Sequence, residues 1–68
     1  MRNLFNPPKT CSGSLVGVNG NPIAITGYFA NQAKAEGWTR EEINKVRKEA
    51  LSSDYEHVIR TIMMHLDD

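Results

Sequence analysis

Few side chains in this chain can make or break bonds: Cys11 as a nucleophile, and His57 and His65 as bases or metal ligands, with Asp67 and Asp68 beside His65. Nucleophilic catalysis needs a thiol or hydroxyl next to a base that a third group orients. A metal ion needs ligands gathered at tight spacing. The two histidines are eight residues apart on one expected helix, about 12 Å along its axis, which is too far for one ion. No H-x-x-x-H or C-x-x-C occurs, and His65 reads as a solvated C-terminal histidine. Cys11 lies in the stretch from Pro7 to Gly13, expected to be extended or mobile because proline removes donors and small polar residues favour turns. Such a segment does not hold reacting atoms in place. The expectation is therefore no enzyme, with no catalytic, cofactor or metal site.

Binding chemistry is the remaining option. Arg40, Asn44, Arg47 and Lys48 fall along one side of the second expected helix, with Lys34 on the first, as candidate phosphate contacts for nucleic acid. The same stripe is also what the solvated face of an amphipathic helix looks like. The Gly17-to-Asn21 loop joins a strand-like run to a helix start, where backbone donors attract anions. It lacks the Lys-Ser/Thr of a phosphate-binding loop, and a tight turn accounts for its glycines. Leu15, Val16 and Val18 in a lone strand-like run, with Tyr28 and Met64 (and Leu51) left over from the helix stripes, are the candidate residues for a protein partner.

The elements that must position these groups follow from periodicity and caps. A short strand is expected at about 14–18, bounded by Gly13 and the Asn19-Gly20 turn signal. It could pair with the Leu4-Phe5 region, with a second copy to form a homodimer, or with another protein. Asn21 as N-cap and Pro22 at the first helical position start a helix over about 22–36, with Ile25, Phe29 and Ala33 on one stripe. Gly27 within it suggests a close backbone approach. Gly37 fits a left-handed C′ position, with Trp38 closing back on Ala33. Thr39-Arg40-Glu41-Glu42 is a capping box with Trp38 and Ile43 as its hydrophobic staple, so Trp38 is a corner residue. The second helix covers about 40–51, burying Ile43, Val46 and Ala50. Ser53-Asp54-Tyr55-Glu56 reads as another capping box, opening a third helix over about 54–66 with Tyr55, Val58, Ile59, Ile62, Met63 and Leu66 on its apolar face. The fold class is mostly α: a compact three-helix bundle, residues 14–68, preceded by an extended or mobile N-terminal segment, residues 1–13.

Composition narrows the functions further. The chain has 68 residues, eight Lys+Arg against eight Asp+Glu, 40% hydrophobic residues and one cysteine. A chain of this size has room for one small core and no enclosed active-site cavity. Zero net charge argues against holding nucleic acid or an anionic membrane by bulk electrostatics. The zero is a sum: residues 1–21 carry Arg2 and Lys9 and no acid, whereas residues 22–68 carry six bases against eight acids. A single cysteine makes no intrachain disulfide, and apolar runs no longer than Ile62-Met63-Met64 span no bilayer. With no apolar leader visible, the chain is expected to stay in the cytoplasm.

Three stretches carry a family resemblance: V-x-V-N-G-N-P-I-x-I-x-G-Y-F at 16–29, A-x-x-x-G-W-T-R-E-E-I at 33–43, and E-A-L-S-S-D-Y-E-H-V at 49–58. On these the chain resembles a group of small proteins encoded by bacteriophages, prophages and related bacterial mobile elements. Pro22-Ile23 and Ser52-Ser53 stand where that pattern more often has Ala-Phe and Ser-Gly. The resemblance implies a phage or mobile-element origin and a cytoplasmic helical domain in the host bacterial cell, and it transfers no catalytic residue. The expected function is a small interaction protein that binds and modulates a host or phage protein. A nucleic-acid-associated regulator using Lys34, Arg40, Arg47 and Lys48 is the alternative.

Overall fold

The computed structural model describes residues 2–67. Its elements run β1 (Cys11–Ser12), α1 (Pro22–Ala35), α2 (Arg40–Ala50), α3 (Tyr55–Met63) and β2 (Leu66–Asp67). The three helices pack on one another around Ile25, Phe29, Ala33, Trp38, Ile43, Val46, Ala50, Val58 and Ile62. The mostly α, compact three-helix architecture is thus the one that the stripe spacing dictates.

The joints follow their sequence signals closely. Asn21 caps α1 by accepting the Ile23 N–H at 2.8 Å, with Pro22 at the first helical position. After Ala35 the chain turns through Gly37 at φ +87°; the Trp38 N–H donates to the Ala33 carbonyl at 3.0 Å and the Gly37 N–H to Lys34 at 3.1 Å. Those two bonds are the Schellman pair, and a side chain at residue 37 would clash with its own backbone at that φ. Thr39 and Glu42 then exchange both bonds of the capping box, at 3.1 and 2.8 Å. Trp38 and Ile43 are both buried in the core, as a staple requires.

Four expectations are corrected. Residues 14–18 form no strand: the Val18 N–H bonds the Leu15 carbonyl at 3.1 Å around Gly17 at φ +81°, a β-turn whose third residue has the positive φ of type II. The strand lies earlier, where β1 pairs in parallel with β2, Cys11 opposite Leu66 and Ser12 opposite Asp67. That pairing is also why α3 stops at Met63 rather than near residue 66, since the backbone of residues 65–67 bonds to the N-terminal segment. The third helix is capped one residue later than expected, by Asp54, whose carboxylate accepts the His57 N–H at 3.0 Å. An anionic acceptor at a helix N-terminus outcompetes the neighbouring Ser53 hydroxyl. Nothing lies within 4 Å of where a Gly27 side chain would project, so that glycine marks no close approach.

The N-terminal stretch lies against the bundle. Leu4 and Phe5 pack on the core, and Cys11 is part of it. The Asn3 amide donates to the carbonyls of Lys9 and Met64, both at 2.9 Å, and accepts the N–H groups of Phe5 and Lys9. Lys9 pairs with Glu42 in the first turn of α2 at 2.6 Å and lies over the Trp38 ring at 4.9 Å.

Candidate interaction surfaces

The groups that looked reactive in the sequence are engaged in structure. His65 is fully buried, not solvated, with its ring edge-on to Phe5 and Phe29. Its Nε2 accepts the Leu4 N–H at 3.0 Å and its Nδ1 lies 2.7 Å from the Thr61 carbonyl. An amide can only donate and a carbonyl only accept, which fixes the neutral Nδ1–H tautomer. Burial pushes this imidazole below the ordinary histidine range. Cys11 is likewise buried, its thiol directed at the His65 carbonyl at 3.7 Å and pushed up to about 11 by burial and by the Glu36 carboxylate. A thiol so protonated is a poor nucleophile, and both nitrogens of the nearby imidazole are taken. His57 pairs with Glu49 at 2.6 Å, holding that carboxyl below its usual range. Among the described residues no three His, Cys, Asp or Glu side chains gather as a metal site.

The candidate partner residues divide. Leu15 and Val18 are half-buried against the core. Tyr28 is half-buried too, its hydroxyl accepting the Ser14 N–H at 3.0 Å. Val16, at the corner of the turn, is 90% exposed, and Met64 is 40% exposed. Leu15 and Val16 do line a cleft of about 180 Å³, and its other wall is Met63 and Leu66, with Gly13 and Ser14 at its base. Met63 is 59% exposed although the helical stripe had placed it in the core. Gly13 has no room for a side chain: a Cβ there would lie 2.8 Å from the Tyr28 hydroxyl.

The cleft is not a vacant strand edge. On the side of β1 away from β2, Ser12 receives the Gln32 amide at its carbonyl at 2.8 Å and gives its N–H to Glu36. With residues 14–18 in a turn and β1 bonded on both edges, the strand at 14–18, for which a second copy was one of the open pairings, is absent.

The basic candidates separate in a similar way. Lys34, Arg40 and Arg47 line one groove of about 540 Å³ between α1 and α2, together with Ala30, Asn31, Trp38, Ile43 and Asn44. Lys48 faces elsewhere, into a smaller cleft with Leu4, Lys45, Glu49 and Ser52. Helical spacing groups Arg40, Asn44 and Arg47 on one side of α2, as found, but it also puts Lys48 there, whereas the structure replaces Lys48 with Ile43 in the groove. The contribution of α1, and the part of Met63 and Leu66 in the apolar cleft, depend on how helices and chain ends pack. Compared with family models, with curated proteins and with solved structures, the chain matches none. Among the described residues no helix is long and apolar enough to cross a membrane.

Proposed function

We propose that this chain is a small non-enzymatic interaction protein of phage or mobile-element origin that works in the bacterial cytoplasm by binding and modulating a host or phage protein. The observation that carries this reading is the apolar cleft between the Leu15–Val18 turn and the end of α3, where Val16 on one wall and Met63 on the other stand exposed. An exposed valine at the corner of a turn costs the free protein an apolar surface in water, and contact with a partner removes it. The turn is backed by the Tyr28 hydroxyl on Ser14 and by Leu15 and Val18 against the core, so Val16 is presented on a fixed frame. The engagement of Cys11 and His65 in packing and hydrogen bonding supports the non-enzymatic part of the reading.

The test places a photoreactive phenylalanine analogue at Val16 in the full chain expressed in bacterial cells. Irradiation is expected to give a discrete adduct with another protein, absent when the analogue replaces Thr10, which is exposed but outside the cleft. Identical adduct patterns from the two positions would contradict the proposal.

A further inference from the structure

We propose that the groove between α1 and α2 is a second binding surface, distinct from the apolar cleft, and that it takes an acidic amphipathic helix of a partner protein. Arg40, Ile43, Asn44 and Arg47 stand at i, i+3, i+4 and i+7 and form one wall; Ala30, Asn31 and Lys34 form the other. No carboxylate lines the groove. Elsewhere, Lys9 and Arg60 are paired with Glu42 and Glu56, and Lys45 lies over the Phe5 ring at 5.1 Å. Among the described residues Lys34, Arg40 and Arg47 have no such partner; Arg2 and Lys48 outside the groove have none either, but only the Arg47 Nε is buried without a hydrogen-bond acceptor. Rotation of that guanidinium onto an incoming carboxylate gives it one.

The shape and floor of the groove select among anionic partners. Half-buried Ala30 and the narrow accessible edges of Trp38 and Ile43 make an apolar strip between the cations, which matches an apolar side chain flanked by acids rather than a phosphodiester backbone. Trp38 is only 7% exposed, edge-on to Phe5 at 5.5 Å and Phe29 at 5.4 Å and overlain by Lys9, so it presents no face on which a base can stack. Arg40 and Arg47 are two turns apart, about 10 Å along α2. A helix lying along α2 meets both with carboxylates seven residues apart and places an apolar residue between them over Ile43.

The experiment selects random peptides of about 14 residues, four helical turns, displayed on yeast, for binding to the full chain. Binders to the Arg40→Glu/Arg47→Glu variant are removed by counter-selection. Enriched peptides are expected to carry Asp or Glu seven apart around Leu, Ile or Met, and to change the fluorescence of Trp38, the one tryptophan of the chain. Their affinity should fall about tenfold or more in the charge-reversed variant, and in the milder Arg40→Gln/Arg47→Gln, while Val16→Glu leaves it unchanged. Circular dichroism establishes that each variant is folded. Enrichment of peptides without the acidic spacing, or affinity that survives both groove variants, overturns the proposal. So does tighter binding of a single-stranded DNA of about 20 nucleotides at about 150 mM salt, lost in the same variants.

Discussion

Protonation of His65 removes the lone pair that accepts the Leu4 N–H and puts a charge into a fully buried site. Because burial lowers this pKa in the folded protein, the unfolded chain binds the proton more readily between the folded value and about 6.5, the ordinary histidine value. Stability is therefore full above about pH 6.5 and falls as the pH is lowered through that window. Urea midpoints measured at intervals from pH 7.5 down to pH 5 should show this decline before the Glu42 and Glu49 carboxyls, whose pKa values lie below the usual range, begin to protonate. At Val16 the turn makes a different prediction. The second position of such a turn favours proline, and the only bond that proline removes is the exposed one from the Val16 N–H to the Ser14 hydroxyl at 3.2 Å, so Val16→Pro should cost about 1 kcal/mol. Equilibrium denaturation checks this, and a loss of several kcal/mol would restore a strand at this position.

At the scale of elements, the caps separate what local sequence specifies from what tertiary pairing decides. Thr39→Ala removes the acceptor of the Glu42 N–H and should cost about 1 kcal/mol. Asp54→Ala should cost a similar amount and Ser53→Ala a few tenths, because Asp54 holds the His57 N–H. Thermal melts of the pair of variants give the comparison. The three helices, the Gly37-Trp38 corner and the capping box at Thr39 were legible because each rests on residues within a turn or two of one another. The strand was not. Its partner is more than fifty residues away, and the attraction of Leu15-Val16-Gly17-Val18 as a strand was cancelled by one glycine at φ +81°. Cys11 and His65 misled for the same reason, since nothing local shows that the two ends of the chain meet. Of the binding residues, Arg40 and Arg47 could be placed together by helical spacing, whereas Met63 reached the surface because α3 ends there.

In the whole molecule the N-terminal segment completes the core of a chain too short to form a large one. Leu4 and Phe5 cover it, Asn3 bonds residues on both sides of the seam, and β1 pairs with β2 beside α1. Half-burial of those two side chains, together with the loss of the Leu4–His65 bond, amounts to about 3–5 kcal/mol, comparable to the entire stability expected of such a domain. Deletion of residues 2–10 should therefore leave a chain with little helical circular dichroism at 25 °C, restored if the missing peptide is supplied in excess. The same seam frames the apolar cleft, which opens between the Leu15–Val18 turn and the chain that leaves α3. The measurement that bears most directly on the central claim is quantitative mass spectrometry of proteins co-purifying from bacterial cells with the tagged full chain and with its Val16→Glu/Met63→Glu variant. With the two matched in fold by circular dichroism, a protein enriched by the native chain and reduced about tenfold by the variant is the predicted result; equal enrichment by both, or none above an untagged control, would contradict it.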